Sequence, residues 1–212
     1  AGESSPLSWD NVIKAIAALE RTLISADSRY DRHQAGQEAL TEQETRGMRL
    51  FFGDRALCSR CHGSPNFNDQ FSTAASPGAS PVFHNTGLFN IGGTGAYPAP
   101  NRGVYELTGR DEDMGRFRAA SLRNVELTYP YMHDGSIATL EAVLDFYAEG
   151  GRSMGNGPYE GDGRLNPYKD PLIDQIRLDA QDKADLVAFL KTLTDHTFAR
   201  DPRFANPFAV SP

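Results

Sequence analysis

The pentapeptide Cys58-Ser59-Arg60-Cys61-His62 limits what this chain can fold into more than any other part of it. Its C-x-x-C-H pattern is the attachment signature of a c-type haem. Within one helical turn, the two thiols can add to the two vinyl groups of one porphyrin, and His62 can bind the iron as its proximal ligand. The motif therefore predicts one covalently bound haem c, attached to Cys58 and Cys61, with His62 on the iron.

Two other uses of a C-x-x-C pair fit this sequence less well. A redox-active dithiol is typical of a βαβ context and does not need the adjacent histidine. A structural zinc site needs a second pair of ligands at matching spacing, and the chain has no further cysteine to supply it.

Length, charge and hydropathy set further bounds. A chain of 212 residues can bury one large or two small cores. No apolar run approaches the roughly 20 residues of a membrane-spanning helix, so we expect no membrane span. The net charge of −7 argues against a nucleic-acid partner. Bacteria attach haem covalently outside the cytoplasmic membrane, so we expect a periplasmic protein. The opening residues show no signal peptide, which favours a mature, processed or trimmed product.

Apolar residues at helical spacing predict helices over residues 9–24, 41–52 and 139–149, and in a segment that follows Asp179. Each segment follows or begins with a residue that can cap a helix, namely Ser8, Thr41, Thr139 and Asp179. No apolar and polar residues alternate over a useful length, so strands are minor at most.

The remaining sequence is dominated by loops. The segment between His62 and Gly115 is rich in glycine and proline, as is the segment 151–171. Loops this long are unusual in a compact domain unless they serve a function, and wrapping a large apolar cofactor is such a function. We therefore predict an all-α, cytochrome c-like haem domain over residues 41–212. Residues 1–40 are expected to form an extra N-terminal helix and a lead-in that packs on this domain.

Several strings of the sequence are similar to those of one protein family. They are WDNVIKAIAALERTL at 9–23, FHNTG at 83–87, GRFRAASLRNV at 115–125, LTYPYMHDG at 127–135 and TLE at 139–141. In this order they resemble the bacterial dihaem cytochrome c peroxidases and their MauG-type relatives. The resemblance extends over nearly the whole chain, and it implies the C-terminal haem domain of such an enzyme.

One departure from the family concerns the number of haems. Family members carry two C-x-x-C-H motifs, and this chain carries one. The resemblance implies that the other motif lies in an N-terminal haem domain that binds peroxide. That domain is expected to be a separate chain or to have been removed. A single-haem offshoot of the family is the remaining alternative.

The second axial ligand of the iron is open from the residues alone, because any of four methionines could supply a thioether: Met48, Met114, Met132 and Met154. The resemblance favours another residue. Conventional dihaem peroxidases place a methionine fourteen residues after the histidine of the P-Y-x-H string, and MauG-type proteins place a tyrosine there. Counting from His133 leads to Tyr147, which also lies on the apolar stripe of the 139–149 helix. A phenolate would favour higher oxidation states of the iron than a thioether does.

The resemblance also implies roles for residues near the seam between the two haem domains. His133 is expected to couple the haems and to form hydrogen bonds, with a purely structural histidine as the alternative. The backbone carbonyls of Thr128 and Pro130 are expected to bind calcium together with an asparagine of the other domain. Arg118 and Arg123 could pair with the haem propionates, or could be ordinary solvated side chains.

The activity implied by the resemblance is that of a haem-dependent peroxidase or oxidase that works only with a second haem domain. In the favoured interpretation, hydrogen peroxide reacts at the partner haem. The haem of this chain then stores oxidising equivalents and relays them to an electron-donor or substrate protein, as in a MauG-type dihaem oxidase. Two alternatives stay open. One is half of a conventional dihaem cytochrome c peroxidase, and the other is a monohaem c-type electron carrier.

Overall fold

The computed structural model describes residues 7–70, 82–206 and 208. Most regular structure in this part is helical. The α-helices are α1 (Trp9–Glu20), α2 (Arg29–Gln34), α3 (Glu42–Phe52), α4 (Tyr105–Thr108), α5 (Leu140–Ala148), α6 (Ala180–Lys191) and α7 (His196–Ala199). Short 3-10 helices cover Cys58–Arg60, Asp111–Asp113, Val125–Leu127, Gly163–Leu165, Ile173–Gln175 and Pro202–Phe204. Two short strands, β1 (Ser153–Met154) and β2 (Gly161–Asp162), pair antiparallel with Ser153 opposite Asp162.

The helix starts are set by side-chain caps, as the sequence predicts. Ser8 accepts a hydrogen bond from the Asn11 N–H at the start of α1, and Thr139 caps α5 in the same way. Reciprocal capping boxes open α3, at Thr41, and α6, at Asp179. Helix α1 ends at Glu20, four residues before the predicted end at residue 24.

The crossing of α3 and α6 forms the centre of the first core cluster. Phe51 of α3 and Phe189 of α6 are fully buried, with their ring centroids 5.2 Å apart. Gly47 lies where the two helices approach most closely, because a Cβ there would be 1.9 Å from the Asp185 carbonyl oxygen. Arg46 binds the carboxylate of Asp185 through two hydrogen bonds of 2.7 and 3.0 Å. Close backbone contact and a bidentate ion pair thus fix the crossing.

A second core cluster fills the space between α5 and the long loops. Its buried members are Leu88, Phe89, Tyr97, Met114, Ile137 and Phe146. Buried asparagines hold these loops together by satisfying backbone groups. Asn85 donates to the Met114 carbonyl and accepts from the Gly87 N–H, and Asn166 donates to the carbonyls of Phe89 and Gly95. The glycine- and proline-rich segment is therefore ordered over its described residues.

The segment before residue 41 is only partly integrated into this core. Tyr30 of α2 is buried, and its ring packs edge-on against Phe67 and Phe189. By contrast, α1 has no buried residue, so the predicted packing of the N-terminal helix on the haem domain is not seen among the described residues. The domain boundary at residue 40 stays a prediction. No described helix is long and apolar enough to cross a membrane.

Replacing Gly47 with alanine tests the α3 and α6 crossing. The added Cβ would meet the Asp185 backbone at 1.9 Å and the Phe189 Cβ at 2.8 Å, so the two helices must separate. We expect the free energy of unfolding, measured by urea titration of the haem-loaded protein, to fall by about 1–3 kcal/mol or more. Gly155→Ala is the matched control, because no atom lies within 4 Å of its added Cβ. Equal stability of the two variants would contradict the described crossing.

Candidate haem site

A cavity of about 520 Å³ lies between the two core clusters. Its wall is mainly apolar. The first core cluster contributes Phe51 and Leu190 to this wall, and the second contributes Leu88 together with Phe117, which packs against that cluster. A pocket of this size and character is typical of a site for a large, mostly apolar ligand. Most of the residues that the sequence analysis selects line this cavity: Cys58, Cys61, His62, Arg118, Thr128, Pro130, His133 and Tyr147.

The two cysteines enter the cavity from the 3-10 helix Cys58–Arg60. The His62 N–H donates to the Cys58 carbonyl at 2.9 Å, which closes the turn and places both sulfurs and the imidazole on the cavity wall. The cysteines are not joined in a disulfide, and burial raises the pKa of the Cys58 thiol to about 12. Two free thiols and one imidazole at a single apolar wall are what covalent haem attachment requires.

The protonation of His62 is set by two backbone carbonyls. Its Nδ1 lies 3.1 Å from the Phe67 oxygen and 3.0 Å from the Ala120 oxygen. Only an N–H at Nδ1 satisfies two carbonyl acceptors, so Nε2 carries the lone pair in the neutral ring. Burial lowers the pKa of His62, which further favours the neutral form. Neutral imidazole with Nε2 available and Nδ1 hydrogen-bonded is the form in which histidine binds a metal ion.

Tyr147 projects from α5 into the same cavity. Its ring packs edge-on against Phe146, but no hydrogen bond to its hydroxyl occurs among the described residues. Burial raises the pKa of this phenol. Because the hydroxyl faces the cavity, its hydrogen-bonding capacity is available to a ligand bound there. Of the four methionines, Met132 alone contacts the cavity, so the structure narrows the thioether alternatives to that residue.

Arg118 and Arg123 occupy different environments. Arg118 is exposed, lines the cavity and makes no ion pair within the described part of the chain, so it remains available for an anionic group. Arg123 does not line the cavity. Its guanidinium binds both carboxylate oxygens of Asp31, at 2.9 and 3.0 Å, and the Pro65 carbonyl at 2.9 Å. The guanidinium of Arg123 thus attaches α2 to the loops near the cavity, and its contact with a propionate stays a prediction that would require it to leave Asp31.

His133 stacks on Phe117, with ring centroids 3.8 Å apart and planes 14° from parallel. Both rings line the cavity, and Tyr97 and Phe89 lie 6.1 and 6.3 Å from the His133 ring. Burial, opposed by Asp134 and assisted by Arg152, lowers the pKa of His133. The structure thus places a neutral imidazole in an aromatic stack at the cavity wall.

Thr128 and Pro130 are exposed at the cavity rim. Their carbonyl oxygens accept no backbone hydrogen bond among the described residues, so they are open to a cation. The described ranges contain no group of three or more His, Cys, Asp or Glu residues that could hold a metal ion. Calcium at this rim therefore stays a prediction that needs ligands from elsewhere.

His84 also lines the cavity, although no feature of the sequence predicts that position. Its Nδ1 lies 2.6 Å from Asp170 and its Nε2 2.7 Å from Asp69, and Nδ1 is also 3.7 Å from the Cys61 sulfur. The FHNTG string at 83–87 could have signalled its importance, but nothing in the sequence indicates that two distant carboxylates reach one imidazole. His84 thereby joins the loop at Asp69 and the loop at Asp170 to the haem attachment site at Cys61.

Substitution of His84 tests this cluster, because it should change how the unfolding free energy depends on pH. With the Cys61 thiol free, its sulfur contributes most to a raised pKa of His84, burial opposes it, and Asp170 and Asp69 add to it. In the haem-loaded protein the Cys61 sulfur would be a thioether, so the two carboxylates are the groups that would keep the pKa of His84 raised. A raised pKa stabilises the fold fully below the unfolded value of ~6.5, and this contribution is lost as pH rises through the folded value. We expect the unfolding free energy of the haem-loaded protein to fall as pH rises above ~6.5 and through the raised pKa of His84. We expect His84→Gln to remove most of that dependence in urea titrations.

His33→Gln is the matched control for this prediction, because the His33 ring contacts the Glu38 carbonyl, and no carboxylate, among the described residues. The control should keep the pH dependence of the wild-type protein. A slope in His84→Gln as steep as that of the wild type would exclude the charged cluster.

These features together fit a covalently attached haem. The cavity is apolar, its wall carries two free thiols and an imidazole whose Nε2 is available, and a phenol without a hydrogen-bond partner borders the same space. Cys58 and Cys61 would hold the porphyrin, and His62 would bind the iron. Arg118 lines the cavity and makes no ion pair among the described residues, so its guanidinium could neutralise a haem propionate.

Comparison with known proteins agrees with this site. No model of a known protein family matches the chain. The cytochrome-c peroxidase IdrP1 of Pseudomonas sp. (strain SCT) is 34% identical over 200 residues, which cover 87% of this chain and 49% of that protein. The methylamine utilization protein MauG of Methylorubrum extorquens is 32% identical over 195 residues, which cover 91% of this chain and 46% of that protein.

A solved structure shows the same relationship. The crystal structure of a MauG-like protein associated with microbial copper homeostasis matches with a TM-score of 0.91 and 54% sequence identity, and the match covers 98% of this chain and 59% of that one. The chain spans about half the length of the curated relatives it matches, in agreement with the prediction of one haem half. The chain belongs to the family of bacterial dihaem cytochrome c peroxidases and MauG-type proteins.

Proposed function

We propose that this chain is the C-terminal haem half of a MauG-type dihaem oxidase or peroxidase. Its role is to store oxidising equivalents that arise from hydrogen peroxide at a partner haem and to relay them to an electron-donor or substrate protein. The observation that carries this proposal is Tyr147, whose hydroxyl borders the cavity without a hydrogen-bond partner among the described residues. Localisation in the periplasm belongs to the same proposal.

The residues around the cavity indicate how this chain would hold a haem and control its iron. A bound haem c would supply one-electron redox chemistry. His62 would bind the iron through Nε2, because its Nδ1 is engaged by Phe67 and Ala120. Tyr147 would bind as a phenolate, since a coordinated cation offsets the burial that otherwise raises the pKa of this phenol. The apolar wall would cover the faces of the bound haem, and His62 and Tyr147 are the side chains that would hold its iron.

Binding of the iron by two side chains would have a functional consequence. With His62 and Tyr147 both holding the iron, peroxide would find no open position on it and would react at another haem. The curated relatives are about twice as long as the matched region, which supports a second haem domain as the partner. An anionic oxygen ligand also stabilises oxidised iron more than a thioether does, which suits a store of oxidising equivalents.

A structural relative suggests what kind of donor this chain uses. The structural relative with 54% identity is described as associated with microbial copper homeostasis. We propose that the donor or substrate of this chain also belongs to copper handling.

A second candidate function rests on Met132, which lines the same cavity. A thioether ligand from this residue would raise the reduction potential and would suit half of a conventional dihaem cytochrome c peroxidase, or a monohaem electron carrier. The relatives named cytochrome-c peroxidase support this candidate. Tyr147 is favoured because its hydroxyl faces the cavity with no protein hydrogen-bond partner among the described residues, whereas a thioether at the wall needs none.

Replacement of Tyr147 distinguishes the two candidates. With Tyr147→Phe, we expect the iron to gain an open position that binds added cyanide or azide, whereas the wild-type protein binds neither readily. With Tyr147→Met, we expect the reduction potential to rise by on the order of 0.1 V, because a thioether replaces an anionic ligand. Absorption spectroscopy and redox titration measure both effects. Met132→Leu is the control, and it should change neither quantity. Loss of the axial ligand in Met132→Leu but not in Tyr147→Phe would establish the thioether alternative.

The requirement for a second haem domain is tested with peroxide. We expect the purified holo-chain alone to show only a slow change of its haem absorption bands when hydrogen peroxide is added. A protein that contains both haem domains should react at least about a hundredfold faster, since only its other haem offers an open position. The stopped-flow rate of the band change is the measurement. A holo-chain that turns over peroxide as fast as the two-haem protein would instead be a self-sufficient monohaem peroxidase.

A further inference from the structure

A row of aromatic side chains leads from the cavity to the protein surface. The stacked rings of Phe117 and His133 line the cavity. Phe89 is buried, and its ring centroid lies 6.3 Å from that of His133. The ring of Tyr159 packs edge-on against Phe89 with the centroids 5.7 Å apart, and Tyr159 is 41% exposed. These four residues, which we call the aromatic chain, join the cavity wall to solvent through successive ring contacts.

Tyr159 is the member of the aromatic chain that is oxidised most readily. The imidazole of His133 and the hydrocarbon rings of Phe89 and Phe117 hold their electrons more tightly than a phenol does. The guanidinium of Arg152 also lies over the Phe89 ring, 4.4 Å from its centroid, and it would repel a positive charge left on that ring. A phenol releases its proton when it is oxidised and becomes a neutral radical. Because Tyr159 is exposed, water can accept that proton.

Tyr97 lies beside the aromatic chain but is a poor site for oxidation. Its ring centroid is 5.4 Å from that of Phe89 and 6.1 Å from that of His133. Tyr97 is buried, and its hydroxyl donates to the Asn85 Oδ1 at 2.8 Å. An amide oxygen accepts a hydrogen bond but is too weak a base to take the proton, and burial raises the pKa of Tyr97 to about 12. An oxidising equivalent that leaves the cavity is therefore held at Tyr159 rather than at Tyr97.

We propose that Tyr159 is the surface site at which this chain takes electrons from a donor, and that His133 and Phe89 connect it to the haem cavity. The inference rests on the proposed function, which supplies the oxidising equivalents. Tyr159 passes one electron along the aromatic chain to the oxidised haem and its phenolic proton to water, which leaves a neutral phenoxyl radical. A donor that transfers one electron and one proton restores the phenol. Phenols and hydroquinones are donors of this class.

Other oxidisable side chains at the surface lack this connection to the cavity. Trp9 and Tyr129 are 84% and 68% exposed, and neither ring pairs with another aromatic ring in the described part of the chain. Tyr105 is half-buried, and its ring contacts the Arg102 guanidinium but no aromatic ring among residues 7–70 and 82–206. Exposure alone therefore favours oxidation of Trp9 or Tyr129, whereas the aromatic chain favours Tyr159.

Spin trapping in a variant with an open iron tests the proposal without a partner haem. The variant is the haem-loaded chain with Tyr147→Phe and Met132→Leu, which lacks both side chains that could bind the iron opposite His62. Hydrogen peroxide can then reach this iron whichever of the two residues binds it in the wild-type protein. Peroxide is added together with a nitroso spin trap, which bonds covalently to a phenoxyl radical. We expect peptide mass spectrometry to find the adduct on Tyr159.

Three further substitutions in this open-iron variant test the connection. Phe89→Leu interrupts the aromatic chain, so we expect the adduct on Tyr159 to be lost. Phe89 is buried and its replacement also weakens the second core cluster, so Tyr159→Phe provides an independent test at the surface. We expect the oxidised haem bands of Tyr159→Phe to decay more slowly, both alone and with added hydroquinone. Tyr105→Phe is the matched control, and it should change neither the adduct nor the decay.

Several results would overturn the proposal. An adduct on Trp9, Tyr105 or Tyr129 in place of Tyr159 would show that the aromatic chain does not select the site. Haem bands that change without an adduct on Tyr159, or that decay equally fast in Tyr159→Phe and the control, would exclude Tyr159 as the electron source. An open iron that peroxide leaves unchanged would also overturn it, since no oxidising equivalent would reach the aromatic chain. A two-haem protein that fails to react with peroxide would instead contradict the proposed function, on which the open-iron variant does not depend.

Discussion

The hydrogen bonds from His62 Nδ1 to the carbonyls of Phe67 and Ala120 are the interaction on which the rest of the site depends. They bring together the C-x-x-C-H turn, the loop that follows it and a segment almost sixty residues further along the chain. They also fix the tautomer, so that Nε2 is available for a metal. Because one donor serves two acceptors, a shift of either loop would reorient the imidazole and disturb the cavity wall that both loops help to form.

The long loops become part of the domain through buried polar contacts rather than through regular structure. Asn85 and Asn166 satisfy backbone groups in the way a strand or helix partner would. The His84 cluster with Asp69 and Asp170 adds charged contacts next to Cys61. Removing one carboxylate would leave the other to hold the imidazole alone, so this cluster is expected to govern loop order near the attachment site rather than the chemistry itself.

The parts of the structure that local sequence determines could be predicted, and those that distant contacts determine could not. The caps at Ser8, Thr41, Thr139 and Asp179 lie within three residues of their partners, and the structure shows each of them. The family membership followed from strings in a fixed order, and the comparisons confirm it. The ion pair of Arg123 has the opposite origin, because it joins distant parts of the sequence. Its partner Asp31 lies 92 positions away, and nothing in the local sequence indicates that a capping aspartate of α2 takes up its guanidinium.

Helices α1 and α6 show why periodicity alone does not establish burial. Both carry an apolar stripe with the same spacing, and the free energy available from covering it is similar in the two. Phe189 is buried because Gly47 lets α3 approach within contact of its Cβ, whereas Leu19 meets no such surface among the described residues. An apolar stripe therefore indicates that a helix needs a packing partner. Which helix becomes that partner depends on a small residue, such as Gly47, that allows the two backbones to approach closely.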